Sequence, residues 1–240
     1  MLQIWFIDKA FEGSNIYTVE DIPDDIDVMV LSHDHWDHLD YDMVRKIEPK
    51  VRCVVTGLGN GGYYEKWGYP SEKIREEDWD TEVVIDKDLS VWVLPAKHFS
   101  GRLLPRNQTL FAGFAFITPD RKVYYTGDGG YDGCFKRIGE QFSGFDLALV
   151  EDGQYNEAWH SVHMMPEESA LAGEELQAAA VIPCSNGKYP LSVYRWKEPY
   201  ERIAEASKGK SYRLIMPMIG ELVEIGNREQ TFTNWWEGME

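Results

Sequence analysis

Six consecutive residues, H-D-H-W-D-H at positions 33–38, combine the side chains from which proteins build metal centres. Four of them, His33, His35, Asp37 and His38, are the candidate ligands, with imidazole or carboxylate side chains. These groups together suit zinc, iron or manganese. A metal ion held in this way lowers the pKa of a bound water to about 7, which makes hydroxide available at neutral pH. The motif therefore predicts a metal centre, in preference to the alternative of a polar surface loop.

The residues around the motif predict an α/β protein. An apolar run at 28–32 directly precedes the hexad and indicates a buried strand, whose outgoing loop can direct the side chains to one point. His98 and Asp128 also follow predicted strands, although an ordinary loop or turn is the better explanation of either residue when it is taken alone. Further strands are predicted over 51–56, 83–85, 89–94, 110–117, 123–125 and 145–150, and helices over 40–47, 166–180 and 195–206, the last broken at Pro199. The pattern has no linker-like break, so we predict a single domain over 1–240.

The charge and the cysteine content limit the class of partner and the compartment. The chain has 24 Lys and Arg residues against 41 Asp and Glu residues, a formal net charge of -17. So acidic a surface repels phosphate backbones, which argues against nucleic acid as a partner. Cys53, Cys134 and Cys184 have no C-x-x-C spacing and are expected to be reduced thiols of a cytoplasmic protein. We expect neither a signal peptide nor a stable membrane anchor, because no apolar stretch approaches the roughly 20 residues of a membrane span.

A glycine-rich segment, G-L-G-N-G-G at 57–62, offers a different interpretation. It formally satisfies the G-x-G-x-x-G pattern of dinucleotide-binding proteins and follows the predicted strand 51–56. Such a site requires a helix that opens at the glycines, so that its N-terminus meets the pyrophosphate. The chain reaches Gly68 and Pro70 too soon for a crossover helix. The sequence therefore disfavours a nucleotide site.

Longer motifs surround the candidate ligands. They read S-H-D-H-W-D-H-L-D-Y at 32–41, P-A-K-H-F-S-G-R at 95–102, R-N-Q-T-L-F at 106–111, Y-T-G-D-G-G-Y at 125–131, D-G-Q-Y-N-E-A-W-H-S-V-H-M-M-P-E-E at 152–168 and W-K-E-P at 196–199. With these motifs the chain resembles the metallo-β-lactamase superfamily, and more narrowly the branch of N-acyl-phosphatidylethanolamine-hydrolysing phospholipase D and the ascorbate-phosphate lactonases. The resemblance implies a four-layer αββα sandwich with the metal site at one edge. Family members usually carry further strands before the hexad, so we expect an N-terminally shortened version of this fold.

The resemblance also implies a set of metal ligands. His33, His35 and His98 would hold one ion, Asp37 and His38 a second, and Asp128 would bridge the two. The cofactor is then zinc, as one or two ions, with manganese or iron as alternatives. Asp37 would additionally orient the attacking hydroxide.

Other residues are expected to meet the substrate. His163 corresponds to a histidine that lines the pocket of the phospholipase-like members, and it would donate to the developing oxyanion. Lys97, Arg102 and Arg106 surround His98 in the sequence. They are expected either to bind an anionic small-molecule substrate or to form salt bridges with surface acids, and the sequence does not separate the two.

One position departs from the family pattern. The family closes its second metal site with a histidine in a segment resembling P-x-H-x-G-K-F, and here the segment reads P-C-S-N-G-K-Y, with Ser185 at the ligand position. The second ion should therefore bind more weakly than the first, unless His160, His163 or Cys184 replaces the missing ligand. The expected function is metal-dependent hydrolysis of an ester, a phosphodiester or a lactone. The alternatives are a metal-binding homologue with weak or no catalysis and a di-iron redox protein, the latter disfavoured because no redox partner domain fits in this length.

The sequence also carries two candidate contact surfaces. The apolar stretch 2–7 predicts an exposed sheet edge, and such edges invite pairing between chains. Trp235 and Trp236 would add a second apolar patch if they did not dock onto their own domain. We therefore expect a homo-oligomer.

Overall fold

The computed structural model describes residues 10–12, 14, 16–102, 104–189 and 192–239. The chain divides into two units, one over Tyr17–Arg121 and one over Lys122–Glu240, and the second also takes in the described residues before Tyr17. Helices and strands occur in both units, so the prediction of an α/β protein is confirmed. A single domain over 1–240 stays a prediction.

The first unit begins with three parallel strands, β1 (Ile26–Leu31), β2 (Val51–Gly57) and β3 (Ile74–Glu77), in the order β1-β2-β3. Helix α1 (Tyr41–Ile47) lies between β1 and β2 in the sequence, and α2 (Gly61–Lys66) lies between β2 and β3. Parallel strands are covered on both faces, which is why β2 is buried along almost its whole length. The core of this part contains the buried side chains of Leu31, Leu39, Val44, Ile47, Val51, Val54, Tyr64 and Tyr69.

The two helices follow the local sequence. Asp40 caps α1, because its carboxylate accepts the backbone N–H of Met43 at 2.8 Å, and the predicted helix over 40–47 is confirmed. Helix α2 opens at the glycine-rich segment but has only six residues. A crossover helix that presents its N-terminus to a pyrophosphate is longer.

The first unit continues with the antiparallel strands β4 (Thr81–Val84), β5 (Ser90–Leu94) and β6 (Gly113–Ile117). The pairs Val83↔Val91 and Val93↔Phe114 fix the register and bury one face of each strand. The predicted pairing of 83–85 with 89–94 is confirmed. Strand β5 matters for function because the chain leaves it toward His98.

The second unit has four parallel strands in the order β10-β9-β8-β7. They are β7 (Lys122–Tyr125), β8 (Leu147–Glu151), β9 (Ala180–Cys184) and β10 (Arg213–Leu214), and the helices between them are α3 (Cys134–Phe142), α4 (Pro166–Glu175) and α5 (Glu198–Ala206). The carboxyl ends of parallel strands meet at one edge of a sheet. Polar residues therefore gather where β7, β8 and β9 end.

Two predicted helices have wrong boundaries. The helix predicted over 166–180 ends at Glu175, because Gln177 adopts the left-handed conformation with φ of 53° and Ala180 already belongs to β9. The helix predicted over 195–206 begins only at Glu198. Pro199 lies in its first turn, where the missing N–H has no intrahelical partner to lose, so the proline opens the helix instead of breaking it.

The predicted contact surfaces have different outcomes. The apolar stretch 2–7 lies outside the described residues. Trp236 docks onto its own unit: it is buried and stacks on Tyr200 with ring centroids 5.5 Å apart. Trp235 packs beside it against Trp196 at 6.1 Å. Within the described part of the chain, no helix combines the length and the apolar character that a bilayer crossing requires.

Candidate metal centre

Three histidines of the first unit come together at the ends of two strands. His33 and His35 leave β1 with the hexad loop, and His98 follows β5. The ring centroids lie 4.4 Å apart for His33 and His35, 4.5 Å for His33 and His98, and 5.0 Å for His35 and His98. One ring nitrogen from each lies within 4.8 Å of the others. The structure therefore brings together the three histidines that the sequence predicts for the first ion.

The spacing of these nitrogens tests whether a metal ion fits. Nε2 of His98 lies 3.3 Å from Nδ1 of His35. Two nitrogens bound to one zinc ion at about 2.0–2.1 Å in tetrahedral geometry are about 3.4 Å apart. The other face of His33 is oriented by a neighbour, because its Nδ1 is hydrogen-bonded to Ser32 Oγ at 3.0 Å, as is usual for metal-binding imidazoles. The three imidazoles thus fit a zinc ion.

The residues predicted for the second ion lie on the same loop. The His38 ring is 4.2 Å from the His33 ring, and Nε2 of His38 is 3.7 Å from Oδ2 of Asp37. The Asp37 side chain is 38% exposed, so its carboxylate is accessible to water. The Asp37 carboxylate is therefore in contact with solvent and close to the His38 imidazole.

Asp34 holds the hexad loop in shape, a role that the sequence did not reveal. Its buried carboxylate accepts the Gly101 N–H at 2.6 Å through Oδ1 and the Tyr63 hydroxyl at 2.9 Å through Oδ2. Burial and the charge of Asp34 raise the pKa of Tyr63 to about 12. A carboxylate between two predicted ligands is the only sign in the sequence that Asp34 belongs to the site. Its hydrogen-bond partners Tyr63 and Gly101 are 29 and 67 positions away along the chain.

Arg102 holds the same loop in place. Its guanidinium donates from Nη1 to the carbonyl oxygens of Leu39 at 2.6 Å and Asp34 at 3.2 Å, and it lies 3.8 Å from the centroid of the Trp36 ring. Burial lowers the pKa of Arg102 relative to an exposed guanidinium. The sequence predicts either anion binding or salt bridges with surface acids for Arg102. In the structure its guanidinium contacts carbonyl oxygens and aromatic rings.

The other two predicted cations are more exposed. The Arg106 guanidinium lies 5.1 Å from the centroid of the Phe99 ring, and Lys97 is exposed one residue before His98. Their binding of an anionic substrate stays a prediction.

A surface cavity of about 550 Å³ lies beside the hexad loop within the first unit. Arg102 and Asp34 form part of its wall, and aromatic side chains form much of the rest. The aromatic residues are Trp36, Tyr41, Tyr63 and Trp67. Concave, largely apolar surfaces with a few polar groups are typical of sites for small molecules.

The remaining predicted residues belong to the second unit. Asp128 is buried after β7, and its Oδ1 accepts the Ser185 hydroxyl at 2.9 Å. A ring nitrogen of His163 lies within 4.8 Å of a carboxylate oxygen of Asp128. Ser185 thus adjoins the predicted bridging ligand, which agrees with its alignment to the missing histidine of the family.

Glu151 connects these residues and was missed from the sequence. It is fully buried at the end of β8, its Oε1 is hydrogen-bonded to Nδ1 of His163, and its Oε2 accepts the Gly129 N–H at 2.8 Å. Burial and the neighbouring charge of Glu151 raise the pKa of the adjacent Asp152 well above its usual range. Two acidic residues directly after an apolar strand were the signal that could have drawn attention to them.

Comparison with protein families matches residues 13–184 to the β-lactamase superfamily domain. The chain belongs to the β-lactamase superfamily. Within this superfamily it is 38% identical over 203 residues to uncharacterized protein Rv0906 of Mycobacterium tuberculosis, which covers 83% of the chain and 54% of that protein. It is 33% identical over 228 residues to N-acyl-phosphatidylethanolamine-hydrolyzing phospholipase D 1 of Caenorhabditis elegans, covering 88% of the chain and 64% of that protein. The chain thus spans about half to two thirds of the length of these relatives.

A solved structure has a similar fold. A metallo hydrolase from the archaeon Ignicoccus hospitalis superimposes with a TM-score of 0.65 at 17% sequence identity, covering 90% of the chain and 84% of that protein. The predicted metallo-β-lactamase fold and the resemblance to the phospholipase D branch of the superfamily are confirmed. The role of each site residue stays a prediction.

Proposed function

We propose that this superfamily member is a metal-dependent hydrolase that activates water for attack on an ester, a phosphodiester or a lactone. The observation that supports the proposal most directly is the 3.3 Å between His98 Nε2 and His35 Nδ1, the separation of two nitrogens on one zinc ion. Imidazoles held this close, with His33 beside them, suit a shared cation. Zinc is the expected ion, and manganese or iron is compatible with the same ligands.

The residues divide the work of such a reaction. His33, His35 and His98 would hold the ion, which supplies a bound water of lowered pKa and polarises the attacked group. Asp37, with its accessible carboxylate, would orient the attacking oxygen by accepting a hydrogen bond from it. Asp34 keeps the loop rigid through Gly101 and Tyr63 and does not itself need to meet the substrate.

The substrate class follows from the cavity, the charge and the relatives. The cavity beside the hexad loop has the aromatic lining and the volume for the non-reacting part of a small molecule. The net charge of -17 makes nucleic acid an unfavourable partner. The relative from C. elegans is named an N-acyl-phosphatidylethanolamine-hydrolyzing phospholipase D, which supports testing phosphodiesters of the phospholipid type first.

The proposal is tested by hydrolysis assays on the full chain after its metal has been removed with a chelator. We expect activity to return with zinc, manganese or ferrous iron on at least one substrate from a panel of phosphodiesters, acyl esters and lactones. The variant His98→Gln should not recover activity, whereas His160→Gln, which changes an exposed histidine paired with Glu168, should recover it fully. Activity that is unchanged by chelation and by His98→Gln would contradict the proposal.

A second candidate function is a metal-binding homologue with little or no catalysis. It is favoured by one observation: Ser185, at the position where the family carries a histidine, donates to Asp128 and supplies no imidazole there. This candidate predicts bound metal without hydrolysis of any substrate in the panel. Metal analysis combined with the same assay separates the two functions.

A further inference from the structure

The family position at Ser185 leaves an imidazole missing, and three nearby residues in the sequence could replace it. They are His160, His163 and Cys184. His160 is 45% exposed, and its Nε2 lies 2.7 Å from Oε2 of Glu168. Among the described residues, neither His160 nor Cys184 belongs to a group of ligand atoms that lie within 4.8 Å of one another.

His163 is close to the predicted bridging ligand of its own unit. One of its ring nitrogens lies within 4.8 Å of a carboxylate oxygen of Asp128. Its side chain is 15% exposed, so the ring is mostly enclosed by protein. An enclosed imidazole near a buried carboxylate is a pair of the kind that binds zinc, iron or manganese.

Glu151 fixes the ring of His163. Its carboxylate is hydrogen-bonded to Nδ1 of His163. A buried carboxylate accepts a hydrogen bond from an N–H far more readily than it faces the lone pair of an unprotonated nitrogen. The proton is therefore held on Nδ1, which leaves Nε2 as the nitrogen with a lone pair. Metal-binding histidines commonly donate their second ring N–H to a carboxylate in this way, which fixes the tautomer and raises the basicity of the ligand.

The same carboxylate fixes the segment of Asp128. Its other oxygen accepts the N–H of Gly129, the residue directly after Asp128, at 2.8 Å. The Glu151 backbone is anchored on both sides, because its N–H donates to Thr126 Oγ1 at 3.0 Å and its carbonyl accepts the Ser169 hydroxyl at 2.6 Å. One rigid side chain therefore sets the positions of both His163 and Asp128.

We propose that His163, oriented by Glu151, binds a divalent metal ion together with Asp128 and supplies the imidazole that Ser185 does not. Ser185 keeps a lesser role, because its hydroxyl donates to Asp128 Oδ1 and orients that carboxylate. This assignment rests on the proposed metal-dependent function, and it gives His163 a different role from the oxyanion donor predicted from the sequence. Glu151 is then a positioning residue.

Metal titration of the full chain tests the proposal. The metal-free protein is titrated with Zn²⁺ against a chromophoric chelator, which resolves a tighter and a weaker ion without any assay of activity. We expect His163→Gln to lower the affinity for the weaker ion about 10–100-fold and to leave the tighter ion unchanged. The matched control His160→Gln should leave both affinities unchanged. Adding Ser185→His to His163→Gln should restore the weaker ion, because it returns an imidazole at the family position.

The outcomes separate this proposal from the proposed function. If the parent protein binds a tight ion and His163→Gln keeps both affinities, the assignment of His163 is wrong while the metal-dependent function stands. If the parent protein binds none of zinc, manganese and ferrous iron, both are wrong. If His163→Gln loses both ions together, the residue supports the structure and is not a ligand of one ion, which also overturns the assignment.

A measurement on the unaltered chain guards against a variant that does not fold. The exchange of the imidazole C2 hydrogen with deuterium, followed residue by residue by mass spectrometry, slows when a ring nitrogen binds a metal ion. We expect exchange at His163 to slow on addition of the second equivalent of zinc, and exchange at His160 to stay the same. Equal rates at His163 with and without zinc would overturn the proposal.

Discussion

Replacing Arg102 by methionine should loosen the hexad loop. The substitution Arg102→Met keeps an apolar stem of similar length, but it removes the guanidinium that donates to Leu39 and Asp34 and that stacks on Trp36. The two carbonyl oxygens would lose a protein partner, and the ring of Trp36 would lose its cation. The loop that carries His33 and His35 would then be held mainly by Asp34.

The size of the effect follows from these contacts. The short hydrogen bond to Leu39 contributes about 1.5 kcal/mol and the longer one to Asp34 about 0.5 kcal/mol, since the guanidinium is only half-buried and water competes for both carbonyls. The cation over Trp36 adds about 0.5–1 kcal/mol at a partly exposed site. The sum is a loss of about 2.5–3 kcal/mol in the free energy of unfolding. The melting temperature should fall by about 5–12 °C, given roughly 2–4 °C for each kcal/mol in a chain of this size.

Urea unfolding and thermal melting of the metal-free protein measure this loss directly. Arg106→Met is the matched control, because Arg106 is an exposed cation of the same predicted group, 5.1 Å from the Phe99 ring, and its removal should change stability by less than about 1 kcal/mol. If Arg102→Met unfolds like the parent while the KM for anionic substrates rises more than the KM for neutral ones, Arg102 binds substrate and does not fasten the loop.

Three further predictions concern the first histidine group, a crowded glycine and a tyrosine. His98→Gln should weaken binding of the tighter zinc ion at least about 10–100-fold, and competition with a chelator measures it; an unchanged affinity would remove His98 from the site. Gly153→Ala should destabilise the protein by about 1–3 kcal/mol in urea, because an added Cβ would lie 1.9 Å from the Ser185 carbonyl oxygen, whereas Gly62→Ala, with nothing within 4 Å, should stabilise α2 by about 0.5–1 kcal/mol. The raised pKa of Tyr63 means that the folded state holds this proton more tightly than the unfolded state, so its contribution to stability is complete below pH 10 and is lost as the pH rises toward about 12. Tyr63→Phe should flatten that part of the stability profile, and an identical profile would refute the link to Asp34.

The sequence predicted the residues whose signal is local and missed those whose partners are distant. The hexad and the strand before it are contiguous, and Asp40 caps its helix within three residues, so these features were accessible. Asp34 and Glu151 carry carboxylates whose importance comes from Gly101, 67 positions away, and from Gly129, 22 positions away. No local pattern reports such contacts.

The errors at helix boundaries have a similar cause. The alanines at 178–180 have high helix propensity, so the sequence predicts that they continue the helix. In the structure the left-handed conformation of Gln177 prevents this. The isolated bridge from Ala178 to Phe145 and the pairing of Ala180 with Arg213 place this stretch in the sheet. Tertiary pairing therefore overrode an intrinsic preference. The sequence predicts a break at Pro199 because the pattern does not fix where the helix starts. The structure starts the helix at Glu198, so the proline lies in its first turn.

At the carboxyl ends of β7, β8 and β9, a side chain can change during evolution without a change in the sheet. Asp128, Glu151 and Ser185 lie at or just beyond the last paired residues of their strands, so their side chains can be exchanged while the ladder of backbone hydrogen bonds in the sheet is retained. Ser185 also has a positive φ of 62°, a conformation that asparagine, aspartate and histidine tolerate better than most residues. A lineage could thus lose or regain a donor at this position through a single codon and keep the same scaffold. Protein engineers could vary the metal preference of the chain at the same position without redesigning its core.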